Sequence, residues 1–176
     1  MILYPKASFN NVREINIEFL RENKINALIL DVDNTLIDFD KNLEKGTVEW
    51  AKYLKEQGIK LHILSNSNKK EKVKTVAQKL NIEYDYFAKK PLKVGFNKVQ
   101  KKLQEKSENI GVVGDQIFTD VIGGNRCKMF TILVEPIAEK DIWITLLKRP
   151  LENAIKKRYK LENEQKQKQR KDRKCI

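Results

Sequence analysis

The sequence predicts an α/β fold, with about five parallel strands forming one open sheet and helices on both of its faces. Two observations point there. Short apolar runs alternate with segments whose apolar residues recur at helical spacing. The first of these runs, Ile25 to Leu30, is apolar at all but one position rather than at every second one, as in a strand covered on both sides.

The elements follow in order. Asn10 to Asn23 places Val12, Ile15, Phe19 and Leu20 at helical spacing and predicts one helix. Ile25 to Leu30 is the first strand. Glu44 to Gln57 is a helix with Val48, Ala51, Tyr53 and Leu54 along its stripe, and Gly58 stands at the expected stop. Ile59 to Leu64 is the second strand. Lys70 to Leu80 is a helix with Val73, Val76, Ala77 and Leu80 on one face. Tyr84 to Ala88 is a third strand and Val94 to Leu103 a helix. Ile110 to Val113 is a fourth strand. Phe118 to Cys127 is a short helix in which Gly123 and Gly124 are expected to allow a tight bend. Phe130 to Val134 is the fifth strand. No internal repeat interrupts the series.

The 176 residues suit one domain of 1–147 and a basic C-terminal helix and tail over 148–176. After Pro150 an amphipathic helix runs through Leu151, Ala154, Ile155 and Tyr159, and from Glu162 onward the loss of apolar residues predicts disorder. The net charge of +12 is uneven: Lys148 to Ile176 holds 12 basic and 4 acidic residues, a net of +8, which leaves +4 for the rest. Such a tail predicts an anionic partner (nucleic acid, a ribosome or an anionic lipid surface) or serves solubility alone. No apolar run approaches about 18 residues, so no membrane-spanning helix is expected. The N-terminus shows no secretory pattern. Cys127 and Cys175 lie far apart, and free thiols in a reducing cytoplasm are expected.

The chemistry gathers where the strands end. Asp31-Val32-Asp33-Asn34-Thr35 follows the first strand, and its two carboxylates are costly together unless a cation lies between them or one is protonated. Ser65-Asn66-Ser67-Asn68 ends the second strand and offers hydroxyl, amide and backbone N–H donors at the start of a helix. Lys89-Lys90-Pro91 ends the third strand. Gly114-Asp115 ends the fourth, with Asp120 five residues on. In an open α/β sheet these ends form one edge, where ligands bind. A hard-cation site beside an anion site is expected. Of the other polar or reactive residues, His62 is expected to be a packed strand residue, Trp50 core or rim, and Cys127 a small buried side chain.

These motifs resemble the haloacid dehalogenase superfamily of phosphotransferases. Asp31-Val32-Asp33-Asn34-Thr35 matches its first motif, Ser65 its second, Lys90 its third, and Gly114-Asp115 with Asp120 its fourth. Asp33-Asn34-Thr35-Leu36, Ser65-Asn66, Lys90-Pro91, Gly114-Asp115-Gln116 and Gly123-Gly124-Asn125-Arg126 are similar to the YqeG-like branch, which is itself similar to phosphatidylglycerophosphate phosphatases.

The resemblance implies a three-layer Rossmann-like domain and a Mg²⁺-dependent phosphomonoesterase. It makes Asp31 the nucleophile that forms an aspartyl-phosphate, and Asp33 the general acid and base. Ser65, Asn66 and Lys90 hold phosphate. Mg²⁺ is held by Asp31, the Asp33 carbonyl and Asp115, with Asp120 acting through a water or by orienting Lys90. Thr35 is expected to bond backbone around the turn. The intervals from Asp31 to Ser65 and from Ser65 to Lys90 leave no room for a cap domain, so the site is open to bulky substrates. The implied substrate is phosphatidylglycerophosphate, reached from the cytoplasm at the inner face of the membrane. Ile142 to Leu147 either packs on the core or joins the basic helix in meeting anionic lipid. A phosphatase for a soluble sugar phosphate, a nucleotide or a polynucleotide end is one alternative. A nucleic-acid or ribosome-binding module is the other.

Overall fold

A computed structural model describes residues 2–137, 154, 155 and 157–159. The chain divides into two units, Met1–Lys140 and Asp141–Ile176. Of the expected C-terminal helix, the described residues Ala154, Ile155 and 157–159 are helical. The 147/148 boundary, the Ile142–Leu147 segment, Cys175 and the basic end lie outside the described residues.

The first unit is built on a parallel sheet of six strands: β1 (Ala7–Phe9), β2 (Ala27–Leu30), β3 (Lys60–Leu64), β4 (Glu83–Asp85), β5 (Ile110–Gly114) and β6 (Phe130–Val134). Their order is β1-β6-β5-β2-β3-β4. Every pairing is parallel, with Leu30 level with both Ile63 and Val113. The strand ends that carry the motifs therefore lie side by side at one edge.

Alternation along the buried strands splits the core in two. Leu28, Leu30, Leu61, Ile63, Val113 and Ile132 pack with α1 (Ile17–Glu22), α2 (Thr47–Glu56) and α3 (Lys70–Leu80) on one face. Ala27, Ile29, Ile110 and Val112 pack with Phe96, Val99 and Leu103 of α4 (Lys93–Leu103) on the other. The result is the three-layer sandwich predicted from strands apolar on both faces. Trp50 belongs to the core, and its Nε1 donates to the Ile15 carbonyl at 2.9 Å.

Four expectations are corrected. The helix over Asn10–Asn23 is broken into a 3₁₀ turn, Val12–Glu14, and α1. Asn11 Oδ1 accepts the Arg13 N–H and Asn16 Oδ1 accepts the Phe19 N–H, so two side chains replace the backbone partners that one continuous helix would need. The sheet has a sixth strand, β1, whose three residues are too short to show a period. The third predicted strand shrinks to β4, because Phe87 and Lys89 take left-handed backbone angles.

The fourth correction concerns Gly123 and Gly124. They make no bend but lie within α5 (Ile122–Arg126). A Cβ on Gly123 would stand 2.3 Å from Phe96, and one on Gly124 2.6 Å from Thr131. The glycines let α5 press against α4 and the sheet. A π-helical turn, Ile117–Val121, leads into α5.

Between β2 and β3 lie a short loop, closed by a bridge of Ile37 to Leu43, and α2; between β3 and β4 lies only α3. No cap domain interrupts the sheet, as the spacing required. Among the described residues no helix is long and apolar enough to cross a membrane.

Candidate active site

The carboxyl edge of the sheet gathers the predicted residues from the ends of three strands, the loop after β4 and the π-helical turn. Asp31 leaves β2, with its N–H donated to the Val113 carbonyl. Asp115 leaves β5, and Asp120 comes from the π turn that follows. Carboxylate oxygens of Asp31, Asp115 and Asp120 lie within 4.8 Å of one another, and all three residues are buried. Lys90 is buried among them. Its Nζ stands 2.6 Å from Asp31 Oδ1 and 2.6 Å from Asp120 Oδ1. The second oxygen of Asp120 accepts the Thr119 hydroxyl at 2.9 Å.

Gly114 makes this packing feasible. A Cβ there would fall 2.3 Å from Asp120 Cγ, so only glycine lets that carboxyl lie across the end of β5. The position of Thr35 differs from expectation. Its hydroxyl is turned to Asp115 Oδ1, in a long 3.4 Å contact, rather than to backbone.

Ser65 and Asn66, the residues expected to hold phosphate, are fixed at the same edge. Ser65 is buried at the end of β3, where its N–H donates to the Asp85 carbonyl and its Oγ accepts the Ser67 N–H. Asn66 clasps the third motif: its Oδ1 accepts the Lys90 N–H at 2.6 Å and its Nδ2 donates to the Lys90 carbonyl at 3.0 Å. The second and third motifs are thereby one unit, ending in a cis Lys90–Pro91 peptide. The first turn of α3 has no side-chain cap.

Asp33 is set slightly apart. It is half-exposed and held by Lys72 of α3, with Nζ 2.5 Å from Oδ1 and 2.7 Å from Oδ2. Nothing in the sequence singles out Lys72, which stands among several lysines of one helix. Nor does the sequence reveal the side-chain role of Asn66. The exposed Lys89 takes no part in the buried cluster and lies over the Phe87 ring.

The electrostatics of the cluster are those of a site short of positive charge. Burial pushes the Asp31 carboxyl up to about 7, against the pull of Lys90 and with the help of Asp120 and Asp33. Burial, then the charges of Asp31 and Asp120, holds Asp115 well above the ordinary carboxylate range. Burial alone would lower the Lys90 ammonium, but Asp120 and Asp31 outweigh it and push it above the usual lysine value. Three buried carboxylates face one ammonium, and an all-oxygen donor set suits a hard divalent cation.

Chain comparisons agree with this geometry. A family model described as Mitochondrial PGP phosphatase matches residues 1–138. The chain belongs to this family. It is 40% identical over 152 residues to the Probable phosphatase YqeG of Bacillus subtilis (strain 168), covering 86% of this chain and 88% of that one. The YqeG-like resemblance read from the motifs therefore holds, and this member of the PGP phosphatase family is a phosphatase enzyme. Solved structures share its fold. One is an uncharacterized protein from Listeria monocytogenes serotype 4b, with a TM-score of 0.55 at 21% identity over 67% of this chain and 85% of that one. Another is a hydrolase from Streptococcus pneumoniae TIGR4, with a TM-score of 0.54 at 16% identity over 73% and 98%.

Proposed function

We propose that the chain is a divalent-cation-dependent phosphomonoesterase that works through an aspartyl-phosphate on Asp31, and that its substrate is phosphatidylglycerophosphate. The observation that carries the reaction is the buried Asp31–Lys90–Asp120 chain beside Asp115 at an uncapped sheet edge.

An Asp31 oxygen attacks phosphorus as the bond to the leaving alkoxide breaks, and Asp33 gives the alkoxide oxygen a proton. Asp33 then takes a proton from the water that attacks phosphorus, the bond to Asp31 breaks, and inorganic phosphate leaves. Lys90 fixes Asp31 and lowers the cost of bringing an anion beside a carboxylate. Asp120 orients Lys90. The Ser65 hydroxyl and the Asn66 N–H, close to the start of α3, accommodate phosphate oxygens. Asp31, Asp115 and the Asp33 carbonyl would hold Mg²⁺. When bound, that ion neutralises the excess negative charge and polarises the phosphoryl group.

The lipid substrate is supported by the family's description and by the open edge, which leaves space for a head group still seated in a bilayer. A cytoplasmic location and a peripheral contact of the basic tail with anionic lipid complete the reading. The test is phosphate release with Mg²⁺ from phosphatidylglycerophosphate in mixed micelles, beside glycerol phosphate, sugar phosphates and nucleotides. A strong preference for the lipid is expected, and its loss in Asp31→Asn. Turnover of soluble compounds alone would leave the phosphatase and discard the lipid.

A further inference from the structure

The rim of the open site is apolar and basic at once. The chain runs from Tyr86 to Val94 along the mouth, tied to the phosphate-side loop by the Phe87 N–H on the Ser67 carbonyl at 2.9 Å and the Ala88 N–H on the Ser65 carbonyl at 3.0 Å. Within this stretch Phe87 is 54% exposed, Leu92 50% and Val94 76%. Phe87 is an unusual side chain to leave in water, because its backbone also takes the left-handed conformation, at φ +52°. A bulky residue pays a steric cost there, and a glycine or asparagine would hold the same turn more easily.

Lysines surround these side chains. Lys89 Nζ lies 5.1 Å from the Phe87 ring centroid, and Lys70 Nζ lies 6.0 Å from that of Tyr86. Lys69 and Lys93 are exposed on the same two segments. Neither 65–70 nor 86–94 contains an Asp or Glu. The acid that precedes them, Asp85, is taken up by His62, Lys98 and Lys102.

We propose that this rim is a membrane-docking surface, in which Phe87, Leu92 and Val94 enter the interface of an anionic bilayer while Lys69, Lys70, Lys89 and Lys93 meet its head groups. The inference rests on the lipid-substrate reading of the site, and it assigns a contact to the catalytic unit itself, apart from the C-terminal tail. Apolar and aromatic side chains framed by lysines have the composition of an interfacial contact. Charge decides among occupants. A symmetric pairing of two copies would set lysine against lysine with no carboxylate in either segment to receive it. Single-stranded nucleic acid would gain stacking from Phe87 but nothing from Leu92 or Val94. An anionic bilayer takes both the charge and the aliphatic groups, and it brings a head-group phosphate to the edge where Ser65 and Lys90 lie.

The test uses the full chain and Leu92→Glu/Val94→Glu, both exposed positions whose change leaves the core intact. Co-sedimentation with vesicles of mixed phosphatidylglycerol and phosphatidylcholine should show affinity reduced at least about tenfold in the double variant, with turnover of a soluble aryl phosphate unchanged. Val94→Trp should bind more tightly, and its added indole should be quenched by brominated lipid beyond the wild-type signal. Unchanged affinity in the double variant, or no added quenching in Val94→Trp, would overturn the proposal. Loss of self-association with vesicle binding retained would overturn it too, and would give the rim to a second copy. Vesicle binding through the rim without hydrolysis of phosphatidylglycerophosphate would fail the substrate and keep the surface. Lipid hydrolysis untouched by the double variant would fail the surface and keep the substrate.

Discussion

Lys72 holds Asp33 by both carboxylate oxygens, at 2.5 and 2.7 Å, across the gap between α3 and the first motif. The residue proposed to move protons is therefore positioned by the helix that follows the Ser65–Asn68 loop. Replacing Lys72 by Met should leave the fold and the buried cluster intact while lowering kcat by about tenfold or more, the scale on which misplaced acid–base groups lose rate. Steady-state kinetics on an aryl phosphate would check it. Rescue of rate by Lys72→Arg distinguishes positioning from a structural loss. Unchanged kcat would remove Lys72 from the mechanism.

Asp31→Asn should reduce turnover at least about a thousandfold, the loss typical of removing a nucleophile. The variant should fold. Because burial and neighbouring carboxylates already penalise the Asp31 charge, removing that charge should leave the melting temperature of the cation-free protein unchanged or higher. Residual phosphatase activity near the wild-type rate would show that the nucleophile lies elsewhere.

Cation binding should be visible without activity. Mg²⁺ should raise the wild-type melting temperature, since a ligand that binds the folded state alone stabilises it. It should do so much less in Asp115→Asn, where one of the three converging carboxylates is gone. EDTA should reverse the shift and abolish turnover. An equal shift in both proteins would place the cation away from this cluster.

Two glycine substitutions should fail in different ways. Gly114→Ala sets a Cβ 2.3 Å from Asp120 Cγ and should displace Asp120 from Lys90, so activity should fall further than stability. Gly123→Ala sets a Cβ 2.3 Å from Phe96, away from the carboxylates. It should lower stability by about 1–3 kcal/mol, as overpacking does. At a temperature where it stays folded, its rate should be close to wild type. Urea unfolding and kinetics on the two variants would separate packing from catalysis.

His62 and Asp85 should shape the acid side of the stability curve. Burial holds the His62 imidazole below its ordinary value. Folded protein therefore resists a proton that the unfolded chain accepts, and stability should fall as pH drops below about 6.5. Burial alone would raise Asp85, but bonds from Lys102, Lys98 and His62 hold it down at about 2. Its stabilising share is thus full above the unfolded value of 3.8 and lost as pH falls toward about 2. Asp85→Asn should flatten the fall in melting temperature between those values. A profile identical to wild type would show that the pair contributes nothing.

The layers, the strand ends and the chemistry placed on them are legible in the residues alone. The run Ala27–Leu30, apolar at every position and short, points to a strand with both faces covered, as found. Parallel crossovers then bring Asp31, Ser65, Lys90 and Asp115 to one edge. These are consequences of periodicity and connection, and both are written in neighbouring residues. The family resemblance followed from the same four positions.

What touches what was decided by tertiary structure. That Lys72 reaches Asp33, that Asn66 clasps Lys90, that Thr35 turns to Asp115, and that His62 is matched by Asp85 depend on segments far apart in the chain. No local period encodes them. Asn11 and Asn16 broke a helix whose apolar spacing was sound, because a side-chain oxygen competed with the backbone for its own N–H groups. Gly123 and Gly124 looked like a bend and were a packing surface, since a missing Cβ has meaning only once Phe96 and Thr131 stand opposite it. Spacing fixes which way a residue faces, whereas the partner that faces it back is set by packing at close-packed density.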